Sequence, residues 1–328
     1  MPALKVLVFD YASDDSASRV GLPASMLHQG QMMLHALCDD LAQVPGIELV
    51  ALAPARTAGP SASFQRRFDA SVCAADAVWP LAPQAGGMLE RLSRHVLRRE
   101  RILLGSKPHA LHVARSKLRT SRVLARAGID VIATYAPGQP RPHARGAWVV
   151  TPDDGCDVED TRIFCSDDAA VAWIATQALA RYVLQPFIPG KLGSLSLLCR
   201  DGVAQVLGRN EQRIAARDNQ LYFLGTTVNS LPDDDGAFDR LAQAVAAAMP
   251  GLWGHVSIDF VLAERGAVVL AVNARMTTSY AGLHASIGCN PAAMALDLLN
   301  LLAQPAPAPR ARTKPVAVSV DVAAFGSL

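Results

Sequence analysis

The sequence predicts an α/β protein whose C-terminal part mixes helices with antiparallel strands. The apolar run at residues 5–9 is bounded by polar residues, as expected for a buried strand. Residues 24–42 place apolar side chains at helical spacing, and residues 47–52 form a second apolar run. Strand, helix and strand in this order open a parallel sheet, whereas the hairpin patterns of the second half indicate antiparallel pairing.

Composition and charge restrict the class of protein. Of the 328 residues, 51% are hydrophobic and 18% are charged, which is typical of a globular chain. The net charge of +2 gives no reason to expect nucleic acid or an anionic membrane as partner. The longest apolar runs are shorter than the roughly 18 to 20 residues that a membrane span needs. The six cysteines form no CxxC pair, so we expect free thiols in a reducing, cytoplasmic setting.

The chain divides into four regions by pattern. Residues 1–105 form a Rossmann-like α/β lobe, but no GxGxxG follows its first strand, which argues against a nicotinamide-dependent oxidoreductase. Its basic stretch at 91–101 is typical of a solvated helix face. A central lobe at 106–190 and a C-terminal lobe at 191–303 follow, and 304–328 is a Pro/Ala-rich tail with a possible edge strand.

Local patterns place elements within these regions. Helices are predicted at 108–128, 234–249 and 291–302. Single strands are predicted at 130–134, 148–150, 181–185 and 316–322, and hairpins at 194–208 and 255–272.

The hairpin at 255–272 carries oxygen-bearing side chains that can face one pocket. With a turn near residue 265, Asp259 lies opposite position 271, and Asn273 shares a face with position 271. A carboxylate and an amide oxygen suit Mg²⁺, which completes its shell with phosphate and water. Many hairpins carry an Asp and an Asn without binding a metal, so spacing alone leaves both interpretations open.

The order of these elements resembles the ATP-grasp superfamily. The resemblance rests on Lys117 in its Arg- and Lys-rich helix, on the strand containing Leu184-Gln185-Pro186-Phe187, and on the hairpin with Asp259, Asn273 and Arg275. Directly after the hairpin, Thr277-Thr278-Ser279-Tyr280 resembles the tyramine–glutamate ligase group of methanofuran or methylofuran synthesis, as do Phe9-Asp10-Tyr11 and the 194–199 segment.

This resemblance implies an ATP-grasp fold and a ligase that joins a carboxylate to an amine through an acyl phosphate, with ATP and Mg²⁺ as cofactors. It implies that Lys117 meets the nucleotide phosphates and that the backbone and side chains of Leu184, Gln185, Pro186 and Phe187 contact adenine. Asp259 and Asn273 would hold Mg²⁺, and Arg275 would be the catalytic residue that stabilises the acyl phosphate. Thr277, Thr278, Ser279 and Tyr280 would line the substrate pocket, with Tyr280 stacking on an aromatic amine.

The sequence departs from the family pattern at several positions. Ala271 stands where a metal-bridging glutamate is usual, and Thr151 stands where a second phosphate lysine is usual. Residues 153–160 hold one glycine and five acidic residues, which would repel ATP. Ala274 replaces a proline, and Gln29 replaces an acid of the ligase group.

Two hypotheses follow from these observations. The first is an active or weakened ligase that acts on small-molecule carboxylate and amine substrates. The second is a non-catalytic relative that binds a partner ligase or a pathway intermediate. The intact Asp259, Asn273 and Arg275 favour the first, whereas Ala271 and Thr151 favour the second. A homo-oligomer is compatible with either.

Overall fold

The computed structural model describes residues 3–11, 24–52, 64–142, 146–154, 160–177, 181–233, 235–302, 304, 306, 308–309 and 313–320. No helix in these ranges is long and apolar enough to cross a membrane. The five cysteines within them are free thiols, as the sequence predicted.

The N-terminal lobe is built on a parallel sheet. Its strands are β1 (Leu4–Asp10), β2 (Ile47–Val50), β3 (Ala77–Leu81) and β4 (Ile102–Leu103). They lie in the order β2-β1-β3-β4, so the predicted parallel layer is confirmed. The helices of this lobe are α1 (Ala24–Ala42), α2 (Phe64–Ala74) and α3 (Met88–Arg98). In α3 the basic side chains Arg91, Arg94 and Arg98 are exposed, which confirms the predicted solvated face.

The helix predicted at 108–128 is two helices, α4 (Pro108–Ala114) and α5 (Lys117–Arg126). The break occurs because Ser116 adopts an extended backbone and its hydroxyl accepts a hydrogen bond from the N–H of Arg119, as an N-cap does. Gly128 then ends the helical region with a positive φ of 74°. The prediction of a strand at 130–134 is wrong, because this segment makes a single isolated bridge, from Val131 to Val269.

A nine-stranded antiparallel sheet forms the rest of the molecule. Its strands are β5 (Trp148–Pro152), β6 (Arg162–Phe164), β7 (Tyr182–Pro186), β8 (Lys191–Arg200), β9 (Val203–Arg217), β10 (Gln220–Val228), β11 (Gly254–Ala263), β12 (Gly266–Asn273) and β13 (Val316–Ser319). They run in the order β12-β11-β8-β9-β10-β6-β5-β7, with β13 paired to β10. The remaining helices are α6 (Asp167–Ala175), α7 (Ala237–Ala248), α8 (Tyr280–Ile287) and α9 (Pro291–Asp297). The last helix is therefore shorter than predicted, and the returning strand of the tail is confirmed.

Apolar clusters connect the parallel sheet to the antiparallel sheet. On one face of β1, Phe9 belongs to a cluster that includes Phe260 of β11. On the other face, Val8 belongs to a cluster that includes Trp253 and Tyr280. A separate cluster lies between β5, β7 and α6. The N-terminal lobe therefore packs on the β8–β12 part of the sheet, and the cleft between them has walls from both.

Candidate functional site

The hairpin of β11 and β12 has the register that the sequence predicted. Asp259 lies opposite Ala271, and Ser257 lies opposite Asn273. The side-chain amide of Asn273 donates a hydrogen bond of 2.7 Å to the Asp259 carboxylate. Both side chains therefore project from the same face of the sheet, as a shared metal site would require.

A residue that the sequence did not single out holds the other oxygen of this carboxylate. Gln212 of β9 donates a hydrogen bond of 2.9 Å from its side-chain amide to Oδ1 of Asp259. It reaches across β8, where the small side chain of Ser194 lies opposite Asp259. Both carboxylate oxygens of Asp259 are thus oriented by amide donors from neighbouring strands.

Burial, hydrogen bonds and two nearby cations all affect the pKa of the Asp259 carboxylate. Burial raises the pKa of Asp259, and hydrogen bonds from Asn273 and Gln212 oppose that rise, as do the charges of Arg275 and Lys117. The two cations are therefore close enough to act on the carboxylate. Arg275 also lines the cleft and donates a 3.0 Å hydrogen bond to the carbonyl of Met276.

Lys117 lies between the end of β5 and the β11–β12 hairpin. It is the first residue of α5, and its ammonium donates a 2.6 Å hydrogen bond to the carbonyl of Pro152. The neighbouring Thr151 is 4% exposed, and its hydroxyl is 3.0 Å from that of Thr161. Thr151 is buried and Thr161 is half-buried, and a lysine at position 151 would have to displace this contact.

The acidic residues that follow β5 are engaged by α4 and α5. Asp153 accepts a hydrogen bond from the Ser116 hydroxyl at the start of α5. Asp154 pairs with Arg115 at 3.2 Å. These contacts lower the repulsion that the sequence predicted for these two carboxylates toward ATP. The rest of the loop, residues 155–159, lies outside the described residues.

The backbone of β7 is only partly available to a nucleotide. The N–H and carbonyl of Leu184 each form a 2.9 Å hydrogen bond with Tyr135, and the N–H of Phe187 bonds to the carbonyl of Ala147. Pro186 has no N–H. The Leu184 N–H therefore cannot donate to adenine while this bridge persists, which corrects the predicted role of that residue.

The side chains of this strand also differ in orientation. Gln185 is 5% exposed and donates a 3.0 Å hydrogen bond to the Thr134 hydroxyl, so its buried side chain connects β7 to the segment that contains Thr134. The Phe187 ring is 44% exposed. Of the two, only Phe187 presents its side chain to solvent.

The motif after the hairpin separates into two parts. Residues 277–279 line the cleft. Tyr280 does not line it, since it begins α8, is 3% exposed, and donates a 2.7 Å hydrogen bond to Asp40 of α1. The prediction that Tyr280 stacks on a substrate is therefore wrong in this conformation.

Hydroxyl groups connect the cleft-lining part to both walls. The Ser279 hydroxyl is 2.9 Å from that of Ser196 on β8 and 3.1 Å from that of Thr277. Thr278 donates a 2.9 Å hydrogen bond to the side-chain oxygen of Gln29 on α1. The position that carries Gln29 instead of an acid thus contacts the 277–279 segment directly.

The N-terminal lobe supplies the second wall of the cleft. Its contributions come from the end of β1, from α1 and from the segment after β3, and they are Asp10, Met26, Gln29, Gly30, Met33, Leu81, Ala82 and Pro83. Asp10 was indicated by the sequence only as part of Phe9-Asp10-Tyr11, which resembles the tyramine–glutamate ligase group. The carboxyl ends of parallel strands are common ligand sites, and that rule is the signal that identifies this wall.

His255 lies in the core behind the cleft. Its ring stacks on Trp79 at 6.2 Å and meets the edge of Tyr280, and Nε2 donates to the Pro291 carbonyl at 3.0 Å. Burial lowers the pKa of His255 to about 4, partly opposed by the hydrogen bond to Pro291. It is a packed neutral histidine of the core.

Comparisons with solved structures show that this fold is shared. A protein from Archaeoglobus fulgidus described as an ATP-grasp superfamily member has 20% identity and a TM-score of 0.69, over 97% of this chain and 100% of that one. The D-alanine–D-alanine ligase from Bacillus anthracis, complexed with ATP, has 15% identity and a TM-score of 0.62, over 92% and 93%. The L-amino acid ligase from Bacillus licheniformis has 13% identity and a TM-score of 0.61, over 90% and 74%.

Sequence profiles give the family itself. A comparison with curated proteins found no match. A profile of pre-ATP-grasp domains matches residues 49–111, within the N-terminal lobe. A profile of ATP-grasp domains matches residues 114–279, slightly more than half of the chain and the part that holds Lys117 and the β11–β12 hairpin. The chain belongs to the ATP-grasp family.

Proposed function

We propose that this chain is an ATP-dependent carboxylate–amine ligase that acts through an acyl phosphate and joins glutamate to tyramine or a related amine. The observation that carries the proposal is a shared cleft, because Asp259, Asn273 and Arg275 line the same space as residues 277–279. A ligase must hold nucleotide phosphates beside the reacting carboxylate, and this placement suits that task.

The hairpin fits one Mg²⁺ ion better than two. Asp259 supplies a carboxylate and Asn273 an amide oxygen from adjacent strands, and Mg²⁺ is often bound by one or two carboxylates together with phosphate and water. Ala271, directly opposite Asp259, offers only a methyl group to a second ion. When bound, Mg²⁺ would neutralise phosphate charge as the phosphoryl group moves.

The reaction proposed for the cleft has two steps. A carboxylate oxygen attacks the γ-phosphorus of ATP and releases ADP, and the amine then attacks the acyl carbon, with loss of phosphate and a proton. Arg275 would stabilise the acyl phosphate through its planar guanidinium. Lys117 would meet the α- or β-phosphate as a point charge.

Adenine recognition would fall to the end of β7. The Leu184 backbone is engaged by Tyr135. Of the predicted adenine contacts, this leaves the Pro186 carbonyl and the exposed Phe187 ring. Gln185 would act indirectly, because its side chain holds Thr134 inside the lobe.

A second function, a non-catalytic relative that binds a partner ligase or a pathway intermediate, is favoured by two positions. Ala271 removes a metal ligand, and Thr151 is packed against Thr161 where a phosphate cation is usual. Each loss should reduce transition-state stabilisation, on the order of a hundredfold in rate.

Calorimetric titration with Mg-ATP and an ADP-release assay with glutamate and tyramine test both functions. We expect weak nucleotide binding and slow, amine-dependent ADP release. The pair Ala271→Glu with Thr151→Lys should raise turnover by up to about 10⁴-fold, roughly a hundredfold for each restored group, whereas the uncharged control pair Ala271→Gln with Thr151→Met should not. No heat at millimolar nucleotide would exclude the ligase.

A further inference from the structure

A buried amide on β9 contacts two hydroxyl groups that lead to the cleft. Asn210 is fully buried, and it lies opposite Ser194 of β8, on the same face of the sheet. Its side-chain nitrogen donates hydrogen bonds of 3.3 Å to the Ser194 hydroxyl and 3.0 Å to the Ser196 hydroxyl. Ser194 lines the cleft itself, and the Ser196 hydroxyl is 2.9 Å from that of the cleft residue Ser279. One amide nitrogen is therefore connected to the cleft along two branches.

The orientation of this amide is fixed by its oxygen. The side-chain oxygen of Asn210 accepts a 3.2 Å hydrogen bond from the backbone N–H of Asn229, a group that can only donate. A flipped amide would place its own N–H groups against that donor, so the oxygen and the nitrogen cannot exchange places. Both hydrogens of the Asn210 nitrogen are then directed at Ser194 and Ser196, and both hydroxyls are acceptors of them.

A glycine on the same strand leaves room for this arrangement. Gly208 lies opposite Ser196 inside β9, and a glycine in a strand often marks a close approach. It is not among the glycines with positive φ, so its backbone conformation does not require glycine. A Cβ at position 208 would lie 2.8 Å from the Asn210 side-chain oxygen and 3.3 Å from the Ser196 hydroxyl oxygen. Glycine is therefore needed for the contact between amide and hydroxyl.

The bonding of Asn210 sets the direction of the other hydroxyl bonds. A hydroxyl that accepts from the amide keeps one hydrogen to donate. Among the described residues, Ser279 is the only other partner of the buried Ser196 hydroxyl, which therefore donates to Ser279 rather than leave its hydrogen unpaired. Ser279 in turn donates to Thr277 at 3.1 Å. The hydroxyl hydrogens of Thr277 and Ser194 then have no acceptor within the described ranges, and both residues line the cleft.

These two donors lie beside the place proposed for the phosphates. Ser194 is directly opposite Asp259 on the neighbouring strand, and Thr277 follows Arg275 by two residues. The acid substrate must reach this place, because its carboxylate has to lie against the γ-phosphate. Neutral hydroxyl donors suit a carboxylate that attacks phosphorus, since a strong ion pair would lower the nucleophilicity of the attacking oxygen.

We infer that Ser194 and Thr277 donate hydrogen bonds to the reacting carboxylate of the acid substrate, and that Asn210 is a positioning residue that directs both hydroxyls toward it. The inference rests on the proposed function in one respect, namely that the cleft takes an acid beside the nucleotide. It goes beyond that function because it assigns the acid to a pair of neutral donors and explains how their hydrogens are oriented.

Binding of two ligands to the full chain tests this assignment without turnover. In calorimetric titrations, Ser194→Ala and Thr277→Ala should each weaken binding of L-glutamate by about tenfold, as expected for a lost hydrogen bond to a charged group, and leave the affinity for Mg-ATP unchanged. Thr277→Ser keeps the hydroxyl and should keep the wild-type affinity for glutamate. Ser230→Ala is the control, because the Ser230 hydroxyl donates to the Thr227 carbonyl outside the cleft. It should change neither affinity.

Four outcomes would overturn the assignment. Weaker binding of Mg-ATP with unchanged binding of glutamate would give the two donors to phosphate. Equal losses for both ligands would indicate a general change of the cleft. Unchanged affinities in both alanine variants, or no binding of glutamate by the wild type, would remove the proposed contact.

A double-mutant cycle tests whether Asn210 acts through the two hydroxyls. Asn210→Ala should weaken glutamate binding about tenfold or more in the wild type, and it should have little further effect when Ser194→Ala and Thr277→Ala are already present. The same loss in both backgrounds would overturn the positioning role. Thermal midpoints are measured in parallel. If Asn210→Ala does not fold, Gly208→Ala replaces it in the cycle, because its methyl group would press on the Asn210 oxygen.

Kinetics distinguish failure of this inference from failure of the ligase. In an active ligase, Ser194→Ala should raise KM for glutamate about tenfold and leave KM for tyramine unchanged. A rise in KM for tyramine instead would overturn the assignment while the ligase stands. Glutamate binding that depends on Ser194 and Thr277, without any ADP release, would leave the assignment standing and exclude the ligase.

Discussion

Two groups of residues meet at the segment after the β11–β12 hairpin, and they differ in what surrounds them. Asp259, Arg275 and residues 277–279 line the cleft. Tyr280 and His255, in contrast, contact each other in the core behind it. We call the first set the cleft group and the second the core group. Changes in the cleft group should alter kinetics, and changes in the core group should alter stability.

The largest effect is expected from Asp259→Asn in the cleft group. Asp259 is the acidic member of the Asp259–Asn273 pair, so loss of its carboxylate should lower the rate of ADP release by a factor of about 10² to 10³. Stability should change little, because burial already disfavours the charged form of Asp259. ADP release and thermal midpoints are measured in parallel.

Glu264→Gln is the matched control, since Glu264 is an exposed acid at the turn of the same hairpin. It should leave both readouts unchanged. Equal losses of activity in the two variants, or unfolding of Asp259→Asn, would contradict the division between the cleft group and the core group.

His255 should give the core group a pH signature. Its pKa is lowered from 6.5 to about 4 in the folded state. Above pH 6.5 both states are neutral at this residue, and as the pH falls the unfolded state binds a proton that the folded state refuses. Stability is therefore lost on acidification, by about 2 kcal/mol between pH 7 and pH 5.

Comparison with His255→Phe isolates this contribution. Burial raises the pKa of Asp40 and of Asp259, and raised carboxyl pKa values act in the opposite direction, stabilising the fold as the pH falls. Both proteins share those carboxyls, so urea unfolding at the two pH values should show the variant losing about 2 kcal/mol less. Equal losses would place His255 in contact with solvent.

The hairpin was predictable from the sequence because its determinants are local. The turn pairs Ala263 with Gly266 and sets the register as far as Phe260. An irregularity between Asp259 and Phe260 then shifts the register by one residue, so that Asp259 lies opposite Ala271 and shares a face with Asn273. Gln212 was not predictable in this way, because it reaches Asp259 from a strand 47 residues away. Pairing between such distant strands leaves no periodic signal in the chain.

The break between α4 and α5 and the orientation of Tyr280 were missed for a related reason. The helical pattern at 108–128 continues through Ser116, and the break coincides with a hydrogen bond to Asp153, 37 residues later. Tyr280 follows three cleft residues, but the first turn of α8 directs it toward Asp40, 240 residues earlier in the chain. Residue type identified a polar motif, whereas tertiary contacts decided which members face the ligand.

Tyr280→Phe should have the smallest effect of the three and affect stability alone. The buried Asp40 carboxylate accepts hydrogen bonds from the Tyr280 hydroxyl and from the His284 ring, and the variant removes one of these donors. We expect a loss of about 1 to 2 kcal/mol, measured by urea unfolding, with KM for tyramine unchanged. Tyr182→Phe is the control, because the Tyr182 hydroxyl has no hydrogen-bond partner within the described ranges, and it should be close to neutral. If Tyr280→Phe instead raised KM for tyramine without loss of stability, Tyr280 would belong to the cleft group, and α8 would have to turn relative to α1 when substrate binds.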